Sequence, residues 1–167
     1  MRDQILGIYA LTLSDAKRLV SDVPCERFAE VTHEASKHPG WVLGHLALAS
    51  AMGAAHLRDP ENPSPEFVGV PTEWQASCMG EPTADRDAFG KKDQLLEVLE
   101  AAHDDYTARF KAASDADLEA EFPNPDYRSF FPTQGVAAVY LLAHHEGYHL
   151  GQLSQWRRTA GFGAAAF

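Results

Sequence analysis

Two histidines near the C-terminal end of the chain have the spacing of a metal-binding pair. His145 and His149 are four residues apart, and side chains four apart lie on the same face of an α-helix. Two imidazoles in this arrangement can bind one metal ion. They can equally be core side chains that find hydrogen-bond acceptors. The spacing leaves both interpretations open, and a third ligand would decide between them.

The neighbouring residues predict that this pair faces the protein interior. Apolar residues continue at helical spacing on both sides of it, namely Ala138, Leu141, Leu142, Leu153 and Trp156. A stripe of this kind turns toward a core. Buried imidazole nitrogens without partners cost free energy, so a metal ion or buried acceptors must satisfy them.

A third histidine lies in the middle of another apolar face. Residues 39–52 predict a helix that begins with Pro39, and either Ser36 or His38 is the candidate for its cap. The apolar face of this helix consists of Trp41, His45, Leu48, Ala49 and Met52. His45 is therefore the natural third ligand.

The hydrophobic pattern predicts four amphipathic helices and no strand. The helices cover approximately residues 3–20, 39–52, 85–110 and 133–159, the last one capped by Thr133. Prolines predict irregular stretches at 57–83 and 114–132. The first stretch has the length of a lid or binding loop, or of a disordered connector, and its Phe67 and Trp74 indicate that part of it packs. We therefore predict one all-α domain spanning residues 1–167.

Composition restricts the partners and the cellular location. The chain has 167 residues, 45% of them hydrophobic, as expected for one globular domain. Acidic residues number 24 against 14 basic ones, so the net charge of -10 disfavours nucleic acid and anionic membranes. The N-terminus lacks a basic region followed by an apolar run, and no segment has the apolar length of a membrane span. We therefore expect a cytoplasmic protein.

The two cysteines predict neither a disulfide framework nor a cysteine-built zinc site. Cys25 and Cys78 are far apart in sequence and form no CxxC motif. We expect two free thiols. No residue of the chain combines a protein nucleophile with an adjacent base, so any chemistry must come from a metal.

The combination of motifs resembles a known family. The segments that carry the resemblance are HPGWVLGHL at residues 38–46, HEGYHLGQL at 145–153 and RRTAGF at 157–162. Together, and in their helix order over nearly the whole chain, they resemble the DinB superfamily. That superfamily includes the DinB-like proteins, the bacillithiol transferases and the metal-binding domain of mycothiol-dependent maleylpyruvate isomerase.

The resemblance implies a fold, a ligand set and a class of activity. It implies an up-down-down-up four-helix bundle in which His45, His145 and His149 bind a divalent metal, together with formation of a homodimer. Three imidazoles leave coordination positions open, as in catalytic sites. Such ligands favour zinc or nickel, with iron, manganese or cobalt as alternatives.

Residues near the predicted ligands have two interpretations each. Gln152 is a candidate partner for a ligating imidazole or a bound water, or a helix-packing amide. Glu146 projects away from His145, so a solvated or interhelical carboxylate is the alternative to a general base. Trp41 is a pocket wall or a core side chain, and His38 covers the pocket mouth or caps its helix.

The remaining histidines and two late arginines are not predicted to bind the metal. His103 borders the stripe of the third helix and is interpreted as a packed or hydrogen-bonded residue, with a place in the pocket as the alternative. His56 lies too far along its helix from His45 to share a metal ion. His33 is expected at the surface and His144 at the edge of the apolar stripe. Arg157 and Arg158 suit the end of a helix, with the binding of an acidic thiol cofactor as the alternative.

Two functional hypotheses remain open. The first is a metal-dependent enzyme that transfers a low-molecular-weight thiol to a small-molecule electrophile, or a related hydrolase. It predicts a metal reached by solvent and a pocket sized for a small molecule. The second is a non-enzymatic, stress-related dimeric bundle, which predicts a blocked metal or a pocket too small for a ligand.

Overall fold

Helices account for most of the chain. The computed structural model of the protein describes residues 1–34, 36–58 and 69–165. Its α-helices are α1 (Arg2–Val20), α2 (Pro39–Arg58), α3 (Trp74–Met79), α4 (Lys92–Ala112), α5 (Asp115–Glu119), α6 (Gln134–Tyr140) and α7 (Glu146–Thr159). A π-helical turn, Leu141–His145, joins α6 to α7 without a break.

The prediction of an all-α fold is confirmed. Within the described ranges there is no β-strand, and the one antiparallel bridge recorded there pairs Glu121 with Thr133. Short 3-10 turns lie at Cys25–Arg27, Arg86–Ala88 and Pro125–Tyr127. The up-down-down-up order of four helices and the single-domain boundary stay predictions.

The core lies between the long helices. α2 packs most extensively on α4, and α1 packs on α7. One cluster of fully buried side chains contains Leu43, Leu46, Leu95, Leu99, Leu153 and Trp156, and a second contains Tyr9, Tyr106, Phe110 and Leu142. Gly53 permits the close approach of α4, because a Cβ atom at this position would lie 2.4 Å from the ring of Tyr106.

The second helix and the segment after it differ from the prediction. α2 continues to Arg58, beyond the predicted end at residue 52, because no proline interrupts residues 53–58. α3 lies inside the stretch predicted to be irregular. Its segment contains neither proline nor glycine, and Trp74 and Cys78, four residues apart, are both buried. Residues 59–68, with Phe67, lie outside the described part of the chain.

The helix predicted over residues 85–110, which is α4 of the structure, begins later than predicted. Asp85 was expected in its first turn, but its side chain caps the 3-10 turn Arg86–Ala88 by accepting the N–H of Asp87 at 3.0 Å. Phe89 then adopts an extended conformation and is buried. α4 starts after this interruption, at Lys92.

The last helix has the predicted ends. The Thr133 side chain accepts the N–H of Val136 at 3.3 Å, as an N-cap does, and α7 ends at Thr159. The π turn within residues 134–159 was not predicted. Such single turns often occur where a functional side chain must be placed, and this one ends at His145.

No helix in residues 1–34, 36–58 or 69–165 combines the length and the apolar composition needed to cross a bilayer.

Candidate metal centre

The start of α2 fixes the orientation of the helix that carries His45. His38 is fully buried, and its Nδ1 accepts the N–H of Trp41 at 3.2 Å. Its Nε2 donates to the carbonyl of Thr83 at 2.9 Å. His38 therefore caps α2. Two turns later, His45 emerges at the half-buried edge of the core.

The structure brings the three predicted ligands together. The Nε2 atom of His145 lies 3.2 Å from Nε2 of His45 and 3.2 Å from Nε2 of His149. The three imidazoles form a cluster whose ligand atoms all lie within 4.8 Å of one another. Residues from α2, the π turn and α7 thus point nitrogen atoms at one point in space. We call this cluster the histidine triad.

Two of the rings are held in a defined tautomer. Nδ1–H of His45 donates to the carbonyl oxygen of Cys78 at 2.8 Å, and Nδ1–H of His149 donates to Oε1 of Gln152 at 2.8 Å. A neutral imidazole that donates from Nδ1 has a lone pair on Nε2. Both Nε2 lone pairs therefore face His145. Its single Nε2 proton would satisfy at most one of them.

Two of the three nitrogen separations in the triad match those around a tetrahedral divalent metal ion. Metal–nitrogen bonds of ~2.0–2.1 Å at tetrahedral angles place neighbouring ligand nitrogens about 3.3–3.4 Å apart. The two separations of 3.2 Å in the triad are close to this value. One cation would accept all three lone pairs, whereas a proton shared between rings would leave one without a partner. The donor set is therefore a fit for a metal ion.

The electrostatic environment keeps the triad in its ligating form. Burial, together with the neighbouring His149 and His45, lowers the pKa of His145 to about 3. Burial also lowers the pKa of His149 to about 4 and shifts the pKa of His45 in the same direction. The three rings are neutral near pH 7, and neutral imidazole is the form that binds metal ions.

The C-terminal end of α3 supplies the acceptors around His45. Carbonyls at the end of a helix have no intrahelical partner. Here the carbonyl of Cys78 accepts a hydrogen bond from His45. The carbonyl of Gly80 accepts Nε1–H of Trp41 at 2.9 Å. Trp41 stacks on His45 with ring centroids 4.5 Å apart. α3 comes this near because Gly44 has no Cβ, which would lie 2.3 Å from the sulfur of Cys78.

A pocket of about 390 Å³ adjoins the triad and includes His45 and His145 in its wall. Apolar and aromatic side chains from α2 and from the last helix form most of its lining, together with Phe122 and Phe131 of the segment before α6. Its volume falls within the range of small-molecule sites, roughly 300–1,000 Å³. The triad can therefore be reached from a cavity of ligand size.

Glu146 and His103 lie together in the interior, outside the described lining of the pocket. Oε1 of Glu146 accepts from Nε2 of His103 at 2.6 Å, and its other oxygen accepts the hydroxyl of Thr12. Glu146 is 3% exposed and His103 stacks on Tyr9 at 3.7 Å. Glu146 is thus the interhelical carboxylate of the sequence analysis, and His103 its hydrogen-bonded partner.

The other candidates occupy different places. His144 and His33 are exposed, and neither belongs to the triad. Arg157 is 1% exposed and binds the carbonyl of Leu19 and the carboxylate of Asp22, whereas Arg158 is exposed. Arg157 therefore fixes α7 against the end of α1, a role that its position at a helix end did not indicate.

Sequence reasoning missed four contributors to this region. The carbonyls of Cys78 and Gly80 come from a stretch that its prolines and glycines marked as irregular. Gln134 lines the pocket although it lies at the first position of its helix. His56, which was excluded as a ligand, lines the same pocket. It lies 11 residues after His45, about three turns along the same helical face, and this spacing could have indicated that both histidines line one cavity.

The fold and the site define an all-helical protein with three imidazoles converging at an apolar pocket. A comparison with models of protein families matches residues 9–153 to the DinB superfamily. The match covers most of the chain, and the chain belongs to the DinB superfamily. Comparisons with curated proteins and with solved structures gave no match.

Proposed function

We propose that this protein is a divalent-metal-dependent enzyme that transfers a low-molecular-weight thiol to a small electrophile, with hydrolysis as the neighbouring reaction. The observation that carries the proposal is the convergence of His45, His145 and His149 beside the 390 Å³ pocket. Membership of the DinB superfamily supports it. Three protein ligands are the number found in catalytic zinc sites, which keep a coordination position for water or substrate.

The residues of the chain have separable tasks in this proposal. The ion would be held by His45, His145 and His149. Gln152 and the Cys78 carbonyl orient two of these rings. The apolar pocket excludes water from the reacting groups. A divalent ion bound there would lower the pKa of a coordinated thiol or water and polarise a carbonyl. Zinc or nickel suits this donor set best, with iron, manganese or cobalt as alternatives.

The proposed transfer is balanced without a redox partner. The thiol sulfur forms a bond to an electrophilic carbon, the leaving group departs with the bonding electron pair, and the thiol proton is released. Cys78, whose carbonyl contacts His45, is not the nucleophile, because burial raises the pKa of its thiol to about 12 and keeps it protonated. In the hydrolytic variant, water takes the place of the thiol.

The alternative function is a non-enzymatic, metal-binding dimeric module. That hypothesis predicts a site without room for a ligand, and the pocket beside His45 and His145 favours the enzyme instead. The up-down-down-up arrangement of the long helices and a homodimer belong to the same proposal, on the basis of the family resemblance. A cytoplasmic location also belongs to it, on the basis of the N-terminal sequence and the length of the apolar segments.

Elemental analysis of protein purified without an affinity tag tests the metal site. We expect about one divalent ion per chain in the parent and its loss in His45→Ala, His145→Ala and His149→Ala, since two imidazoles bind far more weakly than three. His144→Ala is the matched control, because this exposed histidine is adjacent to His145 and outside the triad. It should retain the metal.

An absence of metal in the parent, even after incubation with zinc, nickel, manganese or iron, would contradict the proposal. If the parent contains metal, the loaded protein is then assayed with small thiols and a chromogenic electrophile. Thiol transfer that disappears with the metal in each triad variant supports the proposed activity. A loaded protein inactive both in this assay and in ester hydrolysis would favour the non-enzymatic alternative.

A further inference from the structure

The pocket beside the triad extends along two helices. On α2, His56 lies 11 residues beyond His45, which corresponds to about three turns and ~16 Å on the same helical face. On the last helix, Gln134 lies 11 residues before His145. All four residues line the pocket. Each helix therefore contributes one triad histidine and one distant polar side chain to the same elongated cavity.

The two distant side chains have buried polar atoms without partners. Nδ1 of His56 and Nε2 of Gln134 are inaccessible to solvent and have no hydrogen-bond partner among the described residues. Gln134 is 2% exposed. An unsatisfied buried amide or imidazole nitrogen costs free energy, so such atoms are rare unless a ligand or a bound water completes them. Both atoms belong to side chains in the pocket wall, so rotation of the terminal amide or of the imidazole ring would turn either nitrogen toward a bound ligand.

The character of the wall restricts the ligand. The part of the lining that the structure describes contains no Asp, Glu, Lys or Arg. Most of the remaining lining is apolar or aromatic, with Met52, Leu57, Phe131 and Leu141 among the contributors. Burial lowers the pKa of His56, which keeps this imidazole neutral near pH 7. A charged group at this end of the pocket would find no counter-ion, whereas an uncharged acceptor would find the N–H groups of Gln134.

We propose that the pocket binds an elongated, uncharged, mainly apolar ligand whose carbonyl oxygen accepts a hydrogen bond from Nε2 of Gln134. Nδ1–H of His56 is a second donor for the polar end of the ligand, and the apolar body of the ligand extends toward the triad. This inference rests on the proposed function, because it takes that ligand to be the electrophilic substrate. The binding site at Gln134 and His56 is defined by residues outside the triad, and so it can be tested separately.

The test measures binding of an uncharged naphthyl ketone, 6-propionyl-2-dimethylaminonaphthalene, to the full-length protein after metal removal by a chelator. The fluorescence of this ketone reports its transfer into apolar surroundings. We expect saturable binding to the parent. Gln134→Leu and His56→Phe should each weaken it about threefold to tenfold, the effect of one hydrogen bond. Gln155→Leu, at an exposed glutamine of α7, is the matched control and should bind as the parent does.

A second probe separates the hydrogen bond from the apolar contacts. 2-Dimethylaminonaphthalene, which lacks the carbonyl, should bind equally to the parent and to both pocket variants, and this equality also shows that the variants are folded. The proposal is overturned if the ketone fails to bind the parent, if both pocket variants bind it as tightly as the parent, or if a naphthyl carboxylate binds more tightly than the ketone. Because metal is absent throughout, these outcomes are independent of the metal analysis.

Discussion

At the scale of single residues, the site depends on which nitrogen of each imidazole carries the proton. The carbonyl of Cys78 and the amide of Gln152 hold the Nδ1 protons of His45 and His149, so that both Nε2 atoms are free to bind a metal ion. Trp41 packs flat on His45 and restricts the rotation of its ring. The triad is therefore oriented before any ion binds, which reduces the entropy lost on binding.

Replacement of Gln152 tests this orientation. Gln152→Leu removes the acceptor for Nδ1–H of His149, and loss of such a partner typically weakens metal binding ~10–100-fold. Competition with a chromophoric chelator at constant pH measures the affinity. Gln152→Glu, which retains an acceptor, should restore most of it, and Gln155→Ala at an exposed position should have no effect. An unchanged affinity in Gln152→Leu would show that the contact is dispensable.

At the scale of elements, a buried polar cluster joins three helices behind the triad. Glu146, the first residue of α7, contacts Thr12 of α1 and His103 of α4. It directly follows the π turn that ends at His145. The cluster thus fixes the point at which the last helix changes from π to α geometry, and with it the backbone that carries two of the three imidazoles.

Removal of Glu146 should destabilise the whole fold. Glu146→Ala leaves His103 buried without its partner, and we expect a loss of about 3 kcal/mol in the free energy of unfolding. Urea denaturation measures the loss. Glu97→Ala, at an exposed glutamate on α4, is the control and should change stability by less than about 0.5 kcal/mol. Similar losses in the two variants would contradict the structural role of Glu146.

At the scale of the whole molecule, the ion pair between Arg157 and Asp22 connects the last helix of the chain to the end of the first. The guanidinium of Arg157 on α7 is buried and donates to the Leu19 carbonyl at 2.6 Å, and to Asp22, just beyond α1, at 2.5 and 3.0 Å. The hydrogen bond from Arg157 lowers the pKa of the Asp22 carboxyl below its usual value. The pair therefore makes stability depend on pH.

The sign of this dependence follows from the lowered pKa. The contribution of Asp22 is complete above the pKa of an unfolded aspartate, ~3.9, and is lost as the pH falls through the lower folded pKa. We expect Asp22→Asn to be less stable than the parent at pH 7 and the difference to shrink below about pH 4. Denaturation at several pH values measures it, with Asp104→Asn at pH 7 as the control for loss of one exposed charge. A difference that persists unchanged at low pH would contradict this account.

The sequence by itself determined features that depend on neighbouring residues. The spacing of His145 and His149 on an apolar stripe, the placement of His45 in another, the Thr133 cap and the end of the last helix all follow from local helical geometry. The prediction failed where local signals compete. Asp85 has the features of a helix start, but its carboxylate caps a 3-10 turn, and the extended Phe89 postpones α4 to Lys92.

Only the tertiary structure decided which groups surround the triad. The carbonyl of Cys78 reaches His45 because α3 ends beside it, at a contact that the missing Cβ of Gly44 permits. His56 and Gln134 meet in one pocket through the packing of two helices that are distant in sequence. Such contacts depend on how close two backbones come and which polar groups their ends leave unpaired, and no local pattern of residue types encodes either quantity.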